Sequence, residues 1–180
     1  LSSSLEKTNS NYIVNDDVSG AQQLTPGIAG ITSNTLAVIW QDRRVDQGDI
    51  MLQIISSTGT PLGFAAKVND DFSTAIQKNP QVGAASSGHI WTVWEDARTG
   101  SGLQGQNILV QRFNGTGVAQ GINVLVNDDG TARPKSFPDL DVIPDGRAFC
   151  VWIDERDNSR QIFAQGYSAN GTAFGSNFRV

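Results

Sequence analysis

Residues 93–98 read Val-Trp-Glu-Asp-Ala-Arg, and the Trp-x-Asp-x-Arg motif within them occurs three times, beginning at Trp40, Trp94 and Trp152. A second motif, Val-Asn-Asp-Asp, precedes each copy and begins at Val14, Val68 and Val126. The next equivalent valine is Val180, so the repeats are 54, 58 and 54 residues long. Self-similarity at a period of this size is the sequence signature of a repeat architecture.

Each repeat contains four short apolar runs that are separated by glycine or by polar turns. In the second run, apolar residues occupy both faces of the expected strand, as at Val38 and Ile39, which indicates a strand covered on both sides. No segment keeps the 3.6-residue periodicity of an amphipathic helix. Because four-stranded sheets repeated at this length stack as β-propeller blades, we expect an all-β fold of three four-stranded antiparallel propeller-type blades.

We expect residues 1–10 to be a polar N-terminal segment and residues 11–180 to form a single propeller-like domain, with repeats at 14–67, 68–125 and 126–180. Propellers typically have about four to eight blades, so three blades leave two apolar sheet faces uncovered. The sequence therefore predicts that self-association completes the fold. Asn11 to Val14 has the same pattern as Asn177 to Val180 and could act as a spare strand, so a closed dimer and an open polymer are both compatible with the repeats.

The composition argues against several functional classes. The chain of 180 residues has a net charge of −5, and its 13 basic residues are scattered, which makes nucleic acid a poor partner. No apolar run reaches the roughly 18 residues that a membrane span needs. Neither a catalytic triad nor a metal cluster can be assembled around the single histidine, His89. We therefore expect no catalytic residue, no metal and no cofactor.

The order Val-Asn-Asp, then Pro, then Val93 to Arg98, then Asn-Ile-Leu-Val-Gln at residues 107–111, resembles the repeats of bacterial extracellular β-propeller proteins related in fold to sialidases. The resemblance covers Val14 to Val180 and implies an extracellular or cell-surface location. It does not imply sialidase chemistry, because the Ser-x-Asp-x-Gly-x-x-Trp box of sialidases is absent and the repeats supply neither the arginine cluster nor the tyrosine nucleophile.

The candidate site residues fall into two groups. An aspartate follows each motif Trp by two residues and an arginine follows by two more, giving the pairs Asp42 and Arg44, Asp96 and Arg98, Asp154 and Arg156. Residues two apart on a strand share a face, so each pair can form an ion pair. Recurrence in every repeat favours a structural role for the aspartates, and the alternative is a repeated ligand site in which each arginine grips a carboxylate or a sugar. The second group is Trp91 alone, an aromatic residue that the other repeats replace with Ala37 and Phe149.

These observations predict a non-enzymatic extracellular structural or adhesive module that works through self-assembly into a ring or filament, or through surface contact. The alternative is a carbohydrate-binding, lectin-like propeller with glycan sites between its blades. A glycoside hydrolase needs two carboxylates that flank the substrate, and no such pair can be nominated from the sequence. The expected partners are further copies of the chain and a glycan.

Overall fold

The computed structural model describes residues 11–99 and 106–180, and it contains twelve β-strands and no helix in these ranges. The strands form three four-stranded sheets in which every neighbouring pair is antiparallel. This confirms the predicted all-β fold of three propeller-type blades. The predicted polar segment 1–10 lies outside the described residues.

The strands follow one another from the inner to the outer edge of each blade. Blade 1 consists of β1 (Gln23–Gly30), β2 (Thr35–Asp42), β3 (Asp49–Ser56) and β4 (Ala66–Lys67). Blade 2 consists of β5 (Gln77–Ala84), β6 (Ile90–Asp96), β7 (Asn107–Phe113) and β8 (Val124–Leu125). Blade 3 consists of β9 (Lys135–Val142), β10 (Ala148–Asp154), β11 (Gln161–Tyr167) and β12 (Phe178–Arg179).

Two apolar cores lie between the stacked blades. Ile39 of blade 1 belongs to the same buried cluster as Trp94 of blade 2, and Val93 of blade 2 belongs to the cluster that contains Trp152 of blade 3. The first strands β1, β5 and β9 contact one another in that order along the inner edge. Each fully buried large apolar side chain contributes roughly 1.5–3 kcal/mol. The second strand of blade 2 is therefore apolar on both faces because a blade covers each face, and β2 and β10 are each covered by another blade on one face within the described residues.

The first strand of each blade has a bulge at its proline. The residue before that proline adopts a left-handed backbone, with φ of 46°, 50° and 51° at Thr25, Asn79 and Phe137. The pairing register of the strand shifts at the same place in all three blades. A left-handed conformation costs a residue with a side chain about 1–2 kcal/mol, and a bulge bends and twists its strand. The first strand is therefore bent at the same place in all three blades.

The segment from Asn11 to Val14 does not form a strand. The Tyr12 ring lies against the turn at Gly59, where an added Cβ would be 2.0 Å from Tyr12 Cζ. Val14 and Trp40 line the same pocket on the face of blade 1 that points away from blade 2, which we call the first face of blade 1. The outer strand of blade 3 is β12, from its own repeat. The spare segment therefore covers part of blade 1 and is not paired with another strand.

The outward face of blade 3 is apolar and solvent-accessible. Phe149 and Val151 on β10 are 42% and 37% exposed, whereas the equivalent pairs in blades 1 and 2 are at most 2% exposed. Ile162 and Val180 also belong to the exposed apolar residues of this blade. We call the face formed by these four residues the end face.

Candidate functional site

The Trp-x-Asp-x-Arg motif builds the same hydrogen-bonded unit at the end of the second strand in every blade. Trp94 Nε1 donates to Asp96 Oδ2 at 2.9 Å, and the backbone N and Nε of Arg98 donate to Asp96 Oδ1 at 2.9 and 3.0 Å. Arg98 Nη2 donates to Asp96 Oδ2 at 2.9 Å. The Asp96 side chain is fully buried, and both of its oxygens are satisfied. All of these contacts recur at Asp42. Those of the Trp indole and of the Arg backbone N and Nη2 recur at Asp154, whereas Arg156 Nε is buried without a hydrogen-bond partner among the described residues.

Each motif arginine also binds the first aspartate of the Val-Asn-Asp-Asp motif of its own repeat. The Arg–Asp nitrogen-to-oxygen distances are 2.6, 2.5 and 3.1 Å, for Arg44 with Asp16, Arg98 with Asp70 and Arg156 with Asp128. The arginine therefore joins the segment that enters a blade to the end of its second strand. A ligand that used these guanidinium groups would have to compete with two protein carboxylates.

Trp91 lies at the other end of β6 and joins blade 2 to blade 3. Its side chain is 2% exposed, and its Nε1 donates to the Gly146 carbonyl of blade 3 at 3.1 Å. Its ring centroid is 5.3 Å from that of Tyr167, and the Arg112 guanidinium lies 5.7 Å from the Trp91 ring centroid. Trp91 is thus buried at the contact between blades 2 and 3, with Tyr167 and Arg112 close to its indole ring.

A cavity of about 420 Å³ opens beside this aromatic pair, between blades 2 and 3. The residues that matter for its chemistry are Trp91, Arg112, Gln120, Ile122, Tyr167 and Asn170. Trp91 pairs with Arg112 across β6 and β7, at the end of the blade opposite Asp96. We call this space the inter-blade cavity.

Several polar atoms of the inter-blade cavity are available to a ligand. Arg112 Nη1 donates to the Ala169 carbonyl, while Arg112 Nε and Nη2 make no hydrogen bond within the described residues. Tyr167 also lines this cavity, and its hydroxyl makes no hydrogen bond to a protein group within the described residues. The cavity therefore combines aromatic walls with free donors and acceptors.

A second set of polar residues joins blades 2 and 3 near the inner edge. Glu95, which is 1% exposed, accepts at Oε1 from Asn79 Nδ2 at 2.7 Å and from the Phe137 backbone N at 2.8 Å. Its Oε2 lies 3.3 Å from Lys78 Nζ, and the Gln106 amide, oriented to satisfy both neighbours, donates to Oε2 at 2.8 Å. Both carboxylate oxygens are therefore satisfied by protein groups.

Sequence reasoning did not nominate Arg112, Tyr167 or Glu95. A usable signal was present, because each departs from its repeat. In the other repeats, Ile54 and Gly166 occupy the position of Arg112. Ile55 and Phe113 occupy the position of Tyr167. Gln41 and Ile153 occupy the position of Glu95. In a repeat protein, residues shared by all copies report the requirements of the fold, and the residues that differ are free to serve a site.

Comparisons with known proteins identify the fold and not a family. No family model matches the sequence, and no curated protein matches it. An α-L-arabinanase from Penicillium chrysogenum, solved with arabinobiose, is 13% identical with a TM-score of 0.59, covering 87% of this chain and 49% of that one. An α-L-arabinofuranosidase from Fusarium graminearum, solved with an iminosugar inhibitor, is 8% identical with a TM-score of 0.55, covering 87% and 50%.

A GH43 endo-arabinanase from Bacillus licheniformis is 14% identical with a TM-score of 0.51, covering 87% of this chain and 59% of that one. The chain thus spans roughly half the length of the structures that it resembles. The class that this fold defines is the β-propeller.

These comparisons correct one prediction made from the sequence. The expectation of a non-enzymatic structural or adhesive module was wrong, because the three solved structures named above, which share this fold, are two arabinanases and an arabinofuranosidase. The sequence reasoning gave most weight to the repeated motifs, whose aspartates and arginines bind other groups of the blades themselves. A carbohydrate-binding propeller, the alternative, agrees better with the comparisons.

The described residues contain no helix long and apolar enough to cross a membrane. Within the same ranges, no group of three or more His, Cys, Asp or Glu side chains is arranged to hold a metal ion.

Replacing Asp96 with Ala should lower the free energy of unfolding by on the order of 3 kcal/mol, because Trp94 Nε1 and the Arg98 guanidinium would lose a buried acceptor. Asp145 forms a similar pair with Arg147 on the surface, where both side chains are about half exposed. Asp145→Ala is therefore the matched control and should change stability little. Urea unfolding measures both variants, and equal losses would contradict the buried role of Asp96.

The same unit should make stability depend on acid pH. Burial opposes ionisation of Asp154, but hydrogen bonds from Arg156 and Trp152 outweigh it and hold the pKa of this carboxyl below its usual value of 3.8. The unfolded chain therefore takes up a proton at a higher pH than the folded one, so this contribution is present above about pH 4 and declines as the pH falls. Urea midpoints from about pH 6 to about pH 2 should decline less steeply for Asp154→Asn than for the exposed control Asp157→Asn.

Proposed function

We propose that this chain is part of a carbohydrate-active β-propeller and that the inter-blade cavity binds a glycan. Support comes from the structures with the same fold, which include an arabinanase solved with arabinobiose. This chain spans about half of the length of those structures. That the whole protein acts on carbohydrate is therefore also a proposal. The observation that carries it is the chemistry of the cavity between blades 2 and 3.

A glycan site needs apolar surface for the sugar ring and polar groups that orient its hydroxyls. Ile122, which is 76% exposed, supplies apolar surface at the cavity wall. The Tyr167 hydroxyl and the Gln120 and Asn170 side chains supply polar groups around the same space. The volume of about 420 Å³ lies within the roughly 300–1,000 Å³ that is usual for small-ligand sites.

The inter-blade cavity is proposed as a binding site and not as a reaction centre. Hydrolysis of a glycosidic bond requires two carboxylates at the scissile bond, and the described residues that line this cavity include no Asp or Glu. The buried carboxylate of Glu95 near the inner edge is an alternative candidate for a ligand site, but its oxygens are bound by Asn79, Lys78 and the Phe137 backbone. The cavity is therefore the better candidate for the glycan.

Pairing with a second copy of the chain is a further part of the proposal. The end face of blade 3 is equivalent to the faces through which blade 1 contacts blade 2 and blade 2 contacts blade 3. The first face of blade 1 carries Val38 and Trp40, the equivalents of residues buried in those contacts. One copy could therefore stack its end face on the first face of another. An extracellular or cell-surface location also stays a proposal, and it rests on the sequence resemblance.

Glycan binding is tested with the two tyrosines of the chain. Tyr167→Phe removes the hydroxyl but keeps the ring beside Trp91, and it should weaken binding of a glycan selected on a glycan array by roughly 3- to 10-fold. Tyr12→Phe is the matched control and should bind as the unchanged protein does, since Tyr12 lies on a turn of blade 1. Isothermal titration calorimetry measures both. Loss of affinity in both variants, or in neither, would count against the cavity.

Blade pairing is tested by light scattering. The native mass at micromolar concentration should exceed the 19.3 kDa of one chain, and Val151→Lys should return it toward that value because a charge would be buried in the contact. Val45→Lys is the control, since Val45 is 79% exposed in the loop after β2. A single-chain mass for the unchanged protein would refute pairing between copies.

A further inference from the structure

Arg112 differs from the other half-buried arginines of the described chain because no carboxylate pairs with its guanidinium. Arg44, Arg98 and Arg156 each bind two aspartates. No carboxylate pairs with Arg112 among the described residues, and its protein contacts are the Ala169 carbonyl and the Trp91 ring. Burial lowers the pKa of its guanidinium, yet an arginine keeps its charge at neutral pH. The inter-blade cavity therefore contains a partly desolvated positive charge that is not paired with a carboxylate of the described residues.

The geometry of the guanidinium shows which anion suits it. Nη1 is occupied by the Ala169 carbonyl, so the free edge is the one formed by Nε and Nη2. Two parallel donors on one edge match the two oxygens of a carboxylate in a bidentate pair. Gly171, with φ of 96°, adjoins this edge, and an added Cβ would be 3.0 Å from Arg112 Nε. A side chain at position 171 would therefore press on the Arg112 guanidinium.

Tyr167, Gln120 and Asn170 line the same space. Gln120 Nε2 and Asn170 Oδ1 bind neighbouring protein groups, so Gln120 Oε1 and Asn170 Nδ2 are the amide atoms without a hydrogen bond within the described residues. A simple inorganic anion would leave these groups unused, whereas a sugar with a carboxylate would engage them through its hydroxyls. The chain as a whole carries a charge of −5, but the described residues that line the inter-blade cavity include no Asp or Glu. Attraction for an anion is therefore local to the cavity.

We propose that the inter-blade cavity selects a sugar that carries a carboxylate, such as a hexuronic acid, with Arg112 binding the carboxylate and Tyr167 a hydroxyl. This inference rests on the proposed function, since it names the class of glycan for the same cavity. Arg112 is a specificity residue in this scheme, because a neutral sugar would fill the space without compensating its charge.

The experiment compares glucuronate with glucose as probes, followed through the Trp91 indole N–H resonance. The unchanged protein should bind glucuronate at least roughly 10-fold more tightly than glucose, because hydrogen bonds to a charged group are stronger than neutral ones. Arg112→Gln should remove this preference. Arg112→Lys keeps the charge but loses the two-donor edge, and it should retain part of the preference. Arg147→Gln, at a surface pair, is the control and should leave it unchanged.

The possible results separate the two proposals. Equal binding of both sugars with a shift of the Trp91 resonance would overturn the acidic preference while supporting a glycan site in the cavity. A preference that survives in Arg112→Gln would overturn the role of Arg112. If neither sugar moves the Trp91 resonance at millimolar concentration, both the glycan site and its acidic selectivity fail. The other tryptophan indole resonances report whether each variant is folded.

Discussion

A carboxylate that is removed from water must be paired and hydrogen-bonded, or it destabilises the structure around it. Asp42, Asp96 and Asp154 are buried at the ends of the second strands, and the rest of each blade is arranged around this requirement. The indole N–H two residues earlier and the arginine two residues later supply the donors. The same arginine reaches back to the segment that enters the blade. One buried charge thus fixes the tryptophan between blades, the end of the strand and the path of the connecting chain.

The asparagine of the Val-Asn-Asp-Asp motif extends this arrangement from one blade to the next. Asn69 Oδ1 accepts from the Ile50 backbone N at the start of β3, and Asn127 does the same for Ile108 at the start of β7. Each connecting segment is therefore bonded to the blade that it leaves and, through the motif arginine, to the blade that it enters. Because these bonds set the spacing of successive blades, the space left between blades 2 and 3 depends on the side chains that differ, such as Arg112 in place of Ile54.

The sequence was sufficient for the architecture because the architecture repeats. Matched spacings of Trp94 and its equivalents predicted the blades, and two-sided apolar strands such as β2 predicted their stacking. The bulges at Thr25, Asn79 and Phe137 were not foreseen, since the residue before a proline usually avoids this backbone conformation. The inter-blade cavity could not be located either, because Arg112 and Tyr167 approach each other only when β7 and β11 are brought together by packing, and spacing along the chain does not encode that contact.

Blade 2 is the blade that has another blade on each side in the described chain, and this asymmetry has a dynamic consequence. In stacked repeats, a unit with two neighbours opens more rarely than a unit with one, so we expect amide hydrogens of β6 and β7 to exchange more slowly than those of β10 and β11. The inter-blade cavity has one wall on blade 2 and the other, with Tyr167, on blade 3. A ligand that contacts both walls binds the closed stack alone. Its occupancy would therefore be coupled to the local opening of blade 3, and we expect hydrogen exchange in β11 to report that coupling without any change in the average structure.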